Sequence, residues 1–113
     1  MHESTFLILT ALAAQPLHGY GILQSVQELS AGDVKLRPGT LYGALDRLVE
    51  QRLIEVDREE AVDGRLRRYY RLNNAGAAAL QAQAERLHRH AAAADTQLSR
   101  RLGDALSFGT VTA

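Results

Sequence analysis

The sequence predicts a mainly α chain that carries a small β wing: a winged helix-turn-helix followed by one long C-terminal helix. Three observations support that class. Leu41, Leu45 and Leu48 recur at helical spacing between Pro38 and Gln51, with Ala44 widening the stripe, which marks an amphipathic helix with one face on a core. Two short segments follow, joined through Asp63-Gly64, a dipeptide that favours a tight hairpin, and the second of them is dense in arginine. From Asn74 to about Leu106 there is no proline, and alanine, glutamine, arginine and leucine dominate, so a helix of about 30 residues is expected.

Taken in order, the chain opens with Phe6, Leu7, Leu9, Ala11, Leu12 and Ala13. They make a helix from Glu3 to Ala14 apolar nearly all round, suited to the middle of the fold. Ser4 or His2 can cap its start, and Gln15-Pro16 ends it, because the residue before a proline is pushed out of the α region. Ile22, Leu23, Val26 and Leu29 share a second stripe, which predicts a helix from about Gly19 to Ser30 with Gly32 as its stop. Asp33 to Leu36 is a candidate for a brief strand. Pro38 starts the third helix abruptly, since its missing N–H is no loss in a first turn and its ring bars a helix running in from Arg37. Leu53 to Arg58 alternates apolar and charged residues from Ile54, the period of a half-buried strand. After a turn placed around Glu60 to Gly64, the return strand Arg67 to Leu72 sets Arg68, Tyr70 and Leu72 on one face and Arg67, Tyr69 and Arg71 on the other. Asn73 suits the N-cap of the last helix.

Along that helix Leu80, Ala84, Leu87, Ala91, Ala94 and Leu98 step by 4, 3, 4, 3 and 4, and Leu102 continues the line with a slight slip, which is a coiled-coil-like seam with small residues at half its knobs. A helix of this length exceeds what so small a head can cover. Its far half is expected to pair with the same helix of a second copy in a two-fold dimer. The alternative is a lone helix folded back on the first.

The chain's 113 residues fit one head and an appendage, placed at residues 1–72 for the head, 73–108 for the dimerisation helix and 109–113 for a flexible tail. The absence of cysteine excludes disulfides, thiolate zinc sites and cysteine nucleophiles. The first residues lack a signal-peptide pattern, and no run approaches the roughly 18 apolar residues of a spanning helix, so a soluble, cytoplasmic chain is expected. Enzyme signatures are missing: no Gly-x-Ser-x-Gly, no phosphate loop, no histidine pair at i and i+4. His88 and His90 stand two apart on a helix and face different directions, and neither metal nor cofactor is expected.

Charge is balanced, with 13 basic and 13 acidic residues, but nine of the basic ones lie between positions 35 and 71. Arg65, Arg67, Arg68 and Arg71 fall in a stretch without an acid. Phosphate binding needs a local positive surface, so overall neutrality only lowers non-specific affinity. The first turn of the third helix, with Arg37 before it and Gly39 and Thr40 in it, offers free backbone N–H groups and a hydroxyl to a phosphate. Thr40 and Tyr42 can reach a phosphate or a base edge, or else support the first turn and pack on the second helix. Gly43 leaves room for close approach; Gly39 reads chiefly as a tight entry turn. Arg47 can reach a phosphate or a guanine, or pair with Asp46 or Glu50. Tyr20 can donate its hydroxyl beside the start of the second helix, where His18 reads as structural. Gly64, Arg65 and Arg67 mark the wing tip, where a flexible arginine can enter a narrow minor groove. Tyr69 and Tyr70 read as packing against the third and fourth helices.

Several of these segments together resemble the PadR family of bacterial transcriptional regulators in order and spacing. They are Leu17-His18-Gly19-Tyr20-Gly21-Ile22, Leu36-Arg37-Pro38-Gly39-Thr40-Leu41-Tyr42-Gly43-Ala44-Leu45, Leu48 with Leu53-Ile54, and Gly64 through Leu72 with Gly76. The residues at 38 to 42 are the most telling, and the single long last helix resembles the smaller subgroup. The resemblance implies a homodimeric winged-helix repressor, released from a roughly palindromic operator by a small effector or by stress, with the turn at Thr40 and Tyr42 in the major groove. It implies a nucleoid-associated chain when bound. Two departures stand out: Asn73 replaces the usual capping threonine, and there is no tryptophan to sandwich a flat ligand. Phe6, Leu87 and Ala91 are candidates for lining a hydrophobic effector pocket between subunits. A reading from another class is a winged helix kept for protein interaction, without DNA.

Overall fold

The computed structural model describes the backbone from Met1 to Thr112 and side chains as far as Asp104. Its elements run α1 (Glu3–Ala14), β1 (Leu17–His18), α2 (Gly19–Leu29), α3 (Pro38–Glu50), β2 (Ile54–Val62), β3 (Arg65–Leu72) and α4 (Asn74–Thr112). The tail expected at 109–113 falls outside the residues whose side chains are described. The three strands form one antiparallel sheet in the order β1-β3-β2. The chain divides into two units, Met1–Gln81 and Ala82–Ala113.

The first unit is held by the stripes the sequence displays. Ile8, Leu9 and Leu12 of α1 meet Ile22 and Val26 of α2 and Leu41, Leu45 and Leu48 of α3, with Ile54 and Tyr70 closing the core from the sheet. Side chains of this size contribute about 1.5–3 kcal/mol each when fully buried. His2 stands at the N-cap of α1, but its side chain makes no capping bond, so neither capping candidate acts there. Gln15 leaves the helix in extended conformation before Pro16. After α2, Ala31 and Gly32 take positive φ, and the Gly32 N–H donates to the Gln27 carbonyl at 2.8 Å, a reversal that ends the helix where a glycine was expected to. Residues 33–36 form no strand. Ser30 instead holds that loop, its Oγ accepting from Val34 N at 3.0 Å.

The wing is longer than the alternation suggests, because β2 continues through Val62 and only Asp63 and Gly64 remain in the turn. Both take positive φ, 51° and 76°, the conformation of a tight two-residue hairpin whose twist matches its strands. Val56 pairs with Tyr70 and Arg58 with Tyr69, so Asp57 is the extra residue of a bulge.

Asn73 anchors the start of α4 by two side-chain bonds. Its Oδ1 accepts from Gly76 N at 2.8 Å and its Nδ2 donates to the Arg52 carbonyl at 2.8 Å, joining the helix to the end of α3. Gly76 is buried against Leu53, whose carbonyl oxygen occupies the space a Cβ would take. Leu80, the first residue of the seam, packs partly buried against the core of its own head. In the second unit Leu87, Leu98 and Leu102 are 43%, 62% and 61% exposed, and Ala91 and Ala94 are exposed as well. No described helix is long and apolar enough to cross a membrane.

Candidate nucleic-acid interface

A cleft of about 950 Å³ opens between the start of α2, the outer face of α3 and the tip of the wing. Tyr20, Tyr42, Arg65 and Arg67, all singled out from the sequence, line it together. Tyr20 and Tyr42 are 65% and 50% exposed. Asp46 and Leu66 line it too, and neither was picked out beforehand. The inward alternation of β3 that buries Tyr70 puts Leu66 and Arg68 on the same face, so Leu66 was legible as a cleft residue.

The local chemistry explains each placement. Tyr42 lies against the first residue of α2: a Cβ on Gly19 would meet its hydroxyl at 2.5 Å and its Cζ at 2.9 Å. The absence of a side chain at Gly19 therefore sets where the ring stands, and both readings of Tyr42, packing on α2 and facing the cleft, hold at once. Arg37 occupies the N-cap of α3 without a side-chain cap, its carbonyl accepting from Leu41 N at 3.0 Å. Gly39 and Thr40 are exposed on the first turn that follows. Gly39 has ordinary helical geometry and nothing within 4 Å of where a Cβ would stand, so it makes no tight turn. Arg47 reaches back along the helix, Nη1 lying 3.6 Å from the position of a Cβ on Gly43. It lines a separate recess with Met1, His2 and Thr5, and pairs with neither Asp46 nor Glu50 among the described residues.

Register sorts the wing arginines into two sets. Arg58 bonds Asp57 and Glu60 at 2.9 Å each, Arg68 bonds Glu59 at 3.1 Å, and Arg71 bonds Glu55 at 3.2 Å with Asp57 nearby at 3.5 Å. The bond from Arg58 holds the Glu60 carboxyl below the usual carboxylate range. Four of the wing's acids, Glu55, Asp57, Glu59 and Glu60, are thus bonded by three arginines, while Arg65 and Arg67 at the tip form no ion pair among the described residues, Arg67 standing opposite Glu60 in the ribbon. The positive charge left over sits where the cleft is. Gly64, at the turn, gives those two residues their place by its positive φ.

His18 joins the pieces. Its Nδ1 accepts from Gly21 N at 3.1 Å, capping α2, and its ring meets Tyr69 edge-on at 5.2 Å. Tyr69 stands between His18 and Arg58, whose Cζ lies 3.9 Å from the ring centroid. Partial burial, and then the charge of Arg67, lower the His18 pKa from 6.5, with Glu60 opposing. The folded chain therefore binds this proton less readily than the unfolded one. The stability conferred by the neutral cap is present above the unfolded value of 6.5 and is lost as pH falls through the lower folded value. His18→Asn, which caps without titrating, is expected to make thermal stability fall less than in the unaltered chain between about pH 7 and pH 5.

This arrangement can be set against known proteins. Residues 8–82 match the family described as Transcriptional regulator PadR-like family, more than half of the chain. The chain belongs to the PadR-like family. Transcriptional regulator Rv3488 of Mycobacterium tuberculosis is 44% identical over 73 residues, 65% of this chain and 64% of the relative. Transcriptional regulator YqjI of Escherichia coli is 36% identical over 58 residues, 51% of this chain and 28% of the relative. The chain therefore spans less than two thirds of the length of either. Among solved structures, a PadR family regulator from Clostridium difficile superposes with a TM-score of 0.72 at 25% identity, over 86% of this chain and 99% of the other. Bacillus subtilis PadR, solved in complex with operator DNA, superposes with a TM-score of 0.63 at 21% identity, over 70% of this chain and 46% of the other, a likeness of fold. The chain thus has the winged-helix fold of the PadR-like family, and the relatives and solved structures named above are described as transcriptional regulators.

Proposed function

We propose that this PadR-like chain is a homodimeric, sequence-specific repressor that lays α3 in a major groove and its wing tip at the neighbouring minor groove. The observation that carries this is the cleft in which exposed Tyr20 and Tyr42 face Arg65 and Arg67, wing arginines that form no ion pair among the described residues. Thr40 and the open first turn of α3 supply further phosphate or base-edge donors beside it. The exposed leucines of α4 at the seam positions support pairing of two copies, which sets the spacing of half-sites. A small apolar effector bound between the two copies would act by changing that spacing.

Footprinting on the DNA upstream of its own gene tests the reading. Two protected patches on one face of the duplex, about one helical turn apart, are expected; uniform protection or none contradicts it. Arg65→Ala and Arg67→Ala should each weaken binding to every sequence alike and reduce the slope of log affinity against log salt by roughly one. A slope unchanged in both variants would remove the wing from the contact. The balanced charge favours a second reading, a winged helix used for protein interaction, which predicts a captured partner and no shift of any duplex.

A further inference from the structure

We infer that Asp46 is a specificity-determining residue, its carboxylate accepting a hydrogen bond from the exocyclic amine of a cytosine in the major groove. This rests on the DNA-binding reading above and adds to it a residue and a base. Asp46 lies one helical turn beyond Tyr42 on the exposed face of α3, and lines the same cleft as Tyr20, Tyr42, Arg65 and Arg67.

The acids of the wing are accounted for. Glu55, Asp57, Glu59 and Glu60 are each bonded to an arginine, and Asp63 holds a positive φ in the turn, which aspartate tolerates better than most residues. Asp46 has no such role: among the described residues it forms no ion pair and no hydrogen bond, although arginines line its cleft. An unpaired carboxylate facing a polyanion opposes binding to every sequence by charge repulsion. In the major groove the groups that offset this are base amines, and the cytosine N4 amine is the donor that aspartate and glutamate accept from. The adenine amine lies between N7 and the thymine O4, two acceptors that repel a carboxylate, whereas the cytosine amine has a C–H on one side. Repulsion everywhere and attraction at one base together make a discriminator.

The test uses the full chain with Asp46→Ala and Asp46→Asn, titrated against the footprinted duplex and a scrambled one, and against duplexes in which each C·G pair of a half-site is changed to T·A in turn. Both variants should bind the scrambled duplex several-fold more tightly, and Asp46→Ala should lower the operator-to-scrambled ratio about tenfold. The unaltered chain should lose affinity at one C·G position per half-site, and Asp46→Ala should be indifferent at that position. If the unaltered chain discriminates but Asp46→Ala keeps the same ratio and the same base profile, Asp46 is a solvated surface acid and the inference is overturned. If the unaltered chain does not discriminate at all, the sequence-specific reading falls, and this one with it.

Discussion

A chain carrying Leu98→Glu and Leu102→Glu is expected to sediment as a monomer and to bind its operator on the order of a hundredfold more weakly, or worse. The reason lies in the seam. Both leucines are more than half exposed; Leu98 follows the stepping that begins at Leu80, and Leu102 continues it with a slip of one residue. Pairing two α4 helices would bury these side chains at about 1.5–3 kcal/mol each, and four glutamates at the same places would repel instead. Two heads held at a fixed separation bind adjacent half-sites with an avidity of roughly 10²–10⁴ over one head. Neither leucine belongs to the core cluster, so the melting of the head should not change. Dimeric behaviour in the double variant would place the interface elsewhere.

Gly76→Ala is expected to lower the stability of the head by about 3 kcal/mol, as overpacking at an unyielding site does. The new methyl would overlap the Leu53 carbonyl oxygen and lie 2.6 Å from Cδ1 of Leu72. Backbone cannot step aside as a flexible side chain can, and Asn73 holds both sides of the contact through Arg52 and Gly76. For a head of this size the loss corresponds to a drop of roughly 10–20 °C in melting temperature. Gly39→Ala serves as the control: its Cβ meets nothing within 4 Å, so helix propensity should make it neutral or raise stability by about 0.5–1 kcal/mol. A similar melting temperature for the two variants would contradict the close approach at Gly76.

These contrasts show what a sequence reveals and what it withholds. The stripes of α2 and α3 were legible because burial on one side leaves a 3.6-residue signature, and the wing turn because Asp63-Gly64 takes a conformation few other pairs accept. The cap at Asn73 followed from side-chain chemistry alone. Strand β1 was not legible: Leu17 and His18 are extended only because they pair with Tyr70 and Tyr69, residues far along the chain. The bulge at Asp57 escaped for the same reason, since alternation carries no information about a partner strand's register. Within the site, Tyr20, Tyr42, Arg65 and Arg67 were picked out by type and place. Which wing arginines stay free was hidden, because Arg58, Arg68 and Arg71 find their acids across the ribbon or along its strands. Arg47 was open between a phosphate or guanine and the acids beside it; it lies near Gly43 and lines a recess with Met1, His2 and Thr5.

The most direct test is an anisotropy titration of the full chain against the duplex upstream of its gene and a scrambled duplex of equal length and composition, at two salt concentrations. A specific repressor should prefer its own site by a factor on the order of a thousand or more, with the preference persisting at the higher salt. Equal affinity for the two duplexes would contradict it.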